Sequence, residues 1–131
     1  MGLFQRGSFK ANSGKTLSWK IECDFLTESD LRCLALELVV KRFKFKRVVG
    51  IPSGGDRLAK ILQEFVDPTS GITLIVDDVL TTGMNMNRVF NEVIKEDPST
   101  NIYGIVIFNR ARYVPIWIRP LLVLGPDFAE E

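Results

Sequence analysis

Three short segments carry the residue types needed to hold a phosphorylated sugar. DDVLTTGMN, residues 77 to 85, places two adjacent carboxylates, Asp77 and Asp78, just before a turn rich in hydroxyls and glycine. Thr81, Thr82, Gly83, Met84 and Asn85 of that turn lead into a helix-like stretch. Backbone N–H groups and the helix dipole at such a turn attract an anion, and glycine permits close approach or positive φ. The carboxylates suit ribose hydroxyls or a hard cation such as magnesium. IPSGGDR, residues 51 to 57, offers a second glycine-rich loop around Ser53, Gly54 and Gly55. NRAR, residues 109 to 112, adds arginines. The plainer alternative is that Asp78 and Thr82 only cap the helix.

Each segment follows an apolar, β-branched run: RVVGI at 47 to 51, ITLIVDD at 72 to 78 and NIYGIVIF at 101 to 108. Continuous runs of this kind read as parallel strands covered on both faces. Between them Leu58, Ala59, Ile61, Leu62 and Phe65, then Met86, Val89, Phe90, Val93 and Ile94, recur at helical spacing. The alternation predicts an α/β fold with right-handed crossovers, and ligands of such sheets bind at the carboxyl ends of the strands. Upstream, Thr27 and Asp30 resemble a capping box that opens a helix running to about Phe43, and TLSWKIE at 16 to 22 alternates like an antiparallel or edge strand. VPIWI and LLVL, on either side of Arg119 and Pro120, read as two short strands at the end of the sheet, and PDFAEE as a loose terminus.

Composition narrows the chemistry. The chain has 131 residues, 46% of them apolar and 25% charged, which fits one domain, 1 to 131, with its own core. It contains no histidine, so imidazole-based triads and His-ligated zinc are excluded. A net charge of +1 gives no global attraction for nucleic acid or membrane. Cys23 and Cys33 read as thiols of a reducing compartment, the cytoplasm, and no apolar stretch approaches the length of a membrane span or a signal peptide.

LIVDDVLTTGMN resembles the signature of the type I phosphoribosyltransferases: an apolar strand, two acidic residues, two variable residues, and a threonine- and glycine-rich turn. The resemblance implies a central, mostly parallel sheet flanked by helices, with a small hood of N-terminal and C-terminal strands. It implies that Asp77 and Asp78 hold the ribose hydroxyls of 5-phosphoribosyl 1-pyrophosphate (PRPP) and act in catalysis, and that Thr81 to Asn85 cradle its 5-phosphate. Ser53, Gly54 and Gly55 then receive the pyrophosphate with Mg2+, which the acidic pair contacts only indirectly. GSFKANSGKTLSWKIECD sharpens the resemblance toward the orotate phosphoribosyltransferases, enzymes of pyrimidine biosynthesis. On that reading Trp19, Lys20 and Arg110 contact the base, orotate and PRPP give orotidine 5'-phosphate and pyrophosphate, and the protein is a homodimer.

Against the family pattern, only FVDPTSG, residues 65 to 71, stands where a long basic catalytic loop is usual. Asn12 replaces the lysine before Ser-Gly, Asp24 stands where an arginine is often found, and Met84 and Asn85 replace small and hydroxyl residues. Lys15, Arg57, Lys60 and Arg112 are the candidate substitutes for the missing loop lysine, although each taken alone reads as a solvated surface cation. The shortened loop also raises an alternative, a PRPP- or nucleotide-binding regulator or sensor with reduced catalysis. Two further readings are weaker. SGKT at 13 to 16 imitates the end of a Walker A motif, but Phe9 stands where glycine is required and a strand follows the threonine. KRFKFKR at 41 to 47 reads as the positive end of a helix with buried phenylalanines in preference to a nucleic-acid contact.

Overall fold

A computed structural model describes residues 2–10 and 16–123. Two strands come first, β1 (Phe4–Lys10) and β2 (Thr16–Ile21), paired antiparallel with an irregularity between Arg6 and Phe9. A 3₁₀ turn, Cys23–Phe25, leads to helix α1 (Glu28–Ala35). Then follow β3 (Arg47–Gly50), α2 (Asp56–Gln63), β4 (Ile72–Leu80), α3 (Met84–Glu96), β5 (Asn101–Asn109) and β6 (Ile118–Val123). The main sheet has the order β3-β4-β5-β6 with every pair parallel, as the three β-branched runs predict for β3, β4 and β5. Asn12, Ser13, Gly14 and Lys15 and the terminal PDFAEE lie outside the described residues; Thr16 opens a strand, so the Walker A imitation has no helix to complete it.

Strand periodicity distributes the core. Leu74 and Val76 of β4 and Ile105 and Ile107 of β5 pack with Leu31, Ala35, Val39, Leu58, Ile61 and Leu62 from the α1 and α2 side. Ile75 and Val106 point the other way, toward Met86, Val89 and Val93 of α3. Burying one such side chain contributes about 1.5–3 kcal/mol, so α1 and α2 on one face and α3 on the other are held mainly by these stripes. A Cβ on Gly104 of β5 would come within 2.9 Å of Ile118, Met86 and Trp117, which is how α3 and the start of β6 approach that strand so closely.

Two elements differ from expectation. The first helix is α-helical only to Ala35 and closes with a wider π turn, Leu36–Val40, in which Lys41 N donates to Leu36 O at 3.2 Å. The chain leaves the helix there because Phe45 must reach the core, where it is fully buried, while Phe43 stacks toward Tyr103. VPIWI and LLVL are not two strands: residues 114 to 117 are irregular, and β6 runs unbroken through Arg119 and Pro120 at the sheet edge, where an imino residue costs no outward ladder bond. The basic run around Phe43 is largely neutralised, with Lys41 on Glu37, Lys46 on Asp97 and Arg47 on Glu96. Cys23 and Cys33 are both free thiols. Among the described residues no helix is long and apolar enough to cross a membrane.

Candidate functional site at the carboxyl end of the sheet

The central strand β4 runs on through Asp77 and Asp78 to Leu80, so both carboxylates stand on regular backbone next to the core. Alternation assigns Asp78 to the face of Leu74 and Val76 and Asp77 to that of Ile75. Asp77 Oδ1 accepts from Asp78 N at 2.8 Å, and Asp78 Oδ1 accepts from Val79 N at 2.7 Å. Neither aspartate caps α3 in this arrangement. Burial, followed by the neighbouring Asp78 and, more distantly, the charge of Asp56, pushes the Asp77 carboxyl up to about 8 from its ordinary 3.8.

The loop after β3 lies directly on this strand. Ile51 N donates to Val76 O at 2.9 Å and Gly55 N to Ile51 O at 2.8 Å, folding the loop back before α2 begins. The Pro52–Ser53 peptide is cis. A Cβ on Gly54 would lie 2.5 Å from the Cγ and both oxygens of Asp78, and one on Gly55 would collide with Val76 O. Glycine at both positions is therefore what lets the loop reach the acidic pair. Ser53, Gly54 and Gly55 and the aspartates, far apart in sequence, form one continuous surface.

On the other side, Gly83 caps α3 at φ 80°, in the left-handed region that glycine occupies freely. The first-turn N–H groups of α3 have no intrahelical acceptor, the arrangement that attracts anions at helix N-termini. Thr82 Oγ1 receives a long, 3.4 Å bond from Met84 N, so it caps only weakly; Thr82, Met84 and Asn85 are exposed and Thr81 is half-buried. Arg110 follows β5, and its N–H donates to Leu80 O at 2.8 Å, tying it to the end of β4. Its side chain is buried, at 4% exposed. Trp19 and Lys20 sit on β2 opposite Arg6 and Gln5. That strand pair reaches the main body through Phe4, whose ring stands edge-on to Phe108 of β5 with centroids 6.2 Å apart.

Two neighbours of the site make contacts that no motif announces. Cys23 is buried, and desolvation first, then the charges of Asp78, Glu22, Asp24 and Asp77, push its thiol up to about 12. Arg57, in the first turn of α2, donates to Leu26 O at 2.6 Å and Cys23 O at 3.3 Å. Of the other candidate cations, Lys60 and Arg112 are exposed. In the sequence Arg57 reads only as the end of IPSGGDR and a candidate cation, at a helix N-terminus where the dipole disfavours it; nothing there points to residues 23 and 26. Among the described residues no group of three or more His, Cys, Asp or Glu side chains is placed to hold a metal. Two hard carboxylates fit magnesium only as partners of a ligand that brings further oxygens, as magnesium bound to phosphates requires.

A parallel sheet with an acidic pair ending its central strand, a glycine loop on one side and a glycine-capped helix on the other is the fold of the type I phosphoribosyltransferases. No family model matches the sequence, and no curated protein does. Among solved structures the chain is similar to orotate phosphoribosyltransferase from Aeropyrum pernix, at 25% identity over 82% of this chain and 76% of that one, with a TM-score of 0.62. It is similar to UMP synthase of Leishmania donovani at 19% identity, covering 93% of this chain and 34% of that one, with a TM-score of 0.64. The chain thus spans about a third of that enzyme's length. The xanthine-guanine-hypoxanthine phosphoribosyltransferase of Helicobacter pylori shares the fold at 18% identity, covering 70% of this chain and 87% of that one, with a TM-score of 0.54.

Proposed function

We propose that the protein is a phosphoribosyltransferase that binds PRPP with magnesium and transfers its 5-phosphoribosyl group to a nucleobase, with orotate as the first base to test. The observation that carries this reading is the contact of the Gly54 loop with Asp78 at the end of the strand whose next turn is the Gly83 cap. A 5-phosphate at the α3 N-terminus and a pyrophosphate at residues 53 to 55 would place the ribose over the two aspartates. The step breaks the bond from C1 to pyrophosphate as a base nitrogen forms its bond to C1, through a transition state with positive charge on the ribose. Asp77 and Asp78 would hold the ribose hydroxyls, and the loop amides and the α2 N-terminus would receive the departing negative charge. Magnesium, when bound, would neutralise pyrophosphate oxygens. Arg110 and the β2 residues Trp19 and Lys20 are the proposed base contacts, in a homodimer of the cytoplasm.

One observation favours the second reading, a nucleotide-binding regulator or sensor. The segment 64–71 between α2 and β4 lies at the amino end of β4, away from the site, and is tied down: Asp67 N donates to Phe45 O at 2.7 Å and Ser70 Oγ to Lys44 O at 2.8 Å. Calorimetric titration of PRPP with magnesium, followed by a pyrophosphate-release assay with orotate, uracil, adenine, guanine and hypoxanthine, separates the two. Binding with release supports the enzyme and names its base; binding without release supports the regulator; absence of PRPP binding overturns the enzyme and the PRPP-binding form of the regulator.

A further inference from the structure

The exposed side chain of Arg57 joins two parts of the molecule that the sequence keeps more than thirty residues apart. It rises from the first turn of α2, immediately after the Ser53–Gly55 loop, and its two terminal nitrogens reach Cys23 O, which opens the Cys23–Phe25 turn, and Leu26 O, which follows it. Cys23 O already accepts from Leu26 N at 2.9 Å, and Thr27 begins the α1 capping box one residue later. The guanidinium therefore spans the turn from outside, and at Leu26 O it meets the turn's exit as a basic side chain does at a helix C-terminus. At the other end of the segment Glu22 N donates to Leu3 O, which fixes the base of the β1–β2 hairpin. Cys23 itself is in the core, near enough to Asp78 and Asp77 for their charges to act on it. Moving residues 22–26 would thus move the hairpin relative to the acidic pair.

Along their length α1 and α2 pack through Leu31, Ala35, Leu58, Ile61 and Leu62, and at their far ends the exposed Arg32–Glu64 pair adds a contact of little energetic weight. At the site end the link is a two-pronged guanidinium contact, a geometry that an ammonium does not reproduce. We propose that Arg57 is a positioning residue: it holds residues 22–26 and the hairpin against the helix that follows the Ser53–Gly55 loop, so that the base end and the pyrophosphate end of the site form as one unit. The assignment of those two ends rests on the phosphoribosyl reading above; the tether itself does not.

The test uses the full chain with Arg57→Gln and Arg57→Lys. Losing hydrogen bonds from a charged donor should speed amide exchange over residues 16–26 about tenfold in Arg57→Gln, with amides of α3 and β5 unchanged as the control for folding. Orotidine 5'-phosphate should bind about tenfold more weakly while ribose 5-phosphate changes by less than about twofold, because only the former engages the hairpin side. Arg57→Lys, keeping one contact, should fall between. Unchanged exchange in Arg57→Gln overturns the tether. An equal loss for both ligands overturns the positioning role in favour of a general charge effect, and a loss of inorganic pyrophosphate binding with unchanged exchange makes Arg57 a direct ligand instead. If the unaltered protein binds neither ribose 5-phosphate nor orotidine 5'-phosphate, the phosphoribosyl reading falls, and the exchange measurement still decides the tether.

Discussion

Replacing Gly54 by alanine tests the contact on which the site is built. The new methyl carbon would lie 2.5 Å from Cγ, Oδ1 and Oδ2 of Asp78, whereas carbon atoms in contact sit about 3.5–4.0 Å apart, so something must move by about 1 Å. Either the carboxylate turns off Val79 N, giving up a 2.7 Å bond, or the loop lifts from β4 and loses the Ile51 N to Val76 O bond. A charge-assisted bond is worth about 1.5–3 kcal/mol and overpacking costs a similar amount, so Gly54→Ala should destabilise by about 2 kcal/mol. At about 2.1 cal/mol/K of unfolding entropy per residue, the 131-residue chain should lose about 7 °C in Tm. Thermal unfolding by circular dichroism or calorimetry reads this directly. The decisive comparison is a double-mutant cycle with Asp78→Ala, which removes all three atoms that the methyl meets. In that background Gly54→Ala should cost less than about 0.5 kcal/mol. An equal cost in both backgrounds, or a negligible cost in the first, would refute the claim that loop and aspartate are in contact.

Other expectations follow from the same geometry. Asp77→Asn and Asp78→Asn should each abolish PRPP binding in calorimetry while the circular dichroism spectrum is unchanged; retained binding would remove the aspartates from the site. The folded-state Asp77 carboxyl titrates near 8 against an ordinary 3.8, so the folded protein holds that proton more tightly; its contribution is fully present below about pH 4 and is lost as pH rises toward 8. Denaturant midpoints across that range should decline less in Asp77→Asn than in the unaltered protein, and parallel profiles would contradict the shift. Gly83→Ala, at φ 80°, should cost about 1 kcal/mol and weaken binding of ribose 5-phosphate, measured by Tm and calorimetry. A chromogenic disulfide reagent at pH 8 should titrate Cys33 quickly in the native protein and Cys23 only after denaturation, since burial and four neighbouring carboxylates hold the Cys23 thiol protonated.

The local pattern of residues determined most of the scaffold. β-branched runs covered on both faces specify parallel strands, and the helical spacing from Met86 to Ile94 specifies a helix after them, because both periods arise from backbone geometry within a few residues. The acidic pair and the Gly83 turn were legible for the same reason: a carboxylate pair at a strand end and a glycine before a helix are short-range facts. What the tertiary structure alone decided is which distant groups meet. The approach of Gly54 to Asp78 depends on the parallel register of β3 with β4, and the reach of Arg57 to Cys23 and Leu26 depends on the packing of α2 beside the start of α1. The placement of Arg110, buried and with its N–H on Leu80 O at the end of the neighbouring strand, depends on the parallel register of β4 with β5. The π turn at Leu36–Val40 and the unbroken β6 through Pro120 were decided in the same way: the core's demand for Phe45 and the protected sheet edge override local propensity, since packing over many contacts outweighs preferences of a few tenths of a kcal/mol per residue.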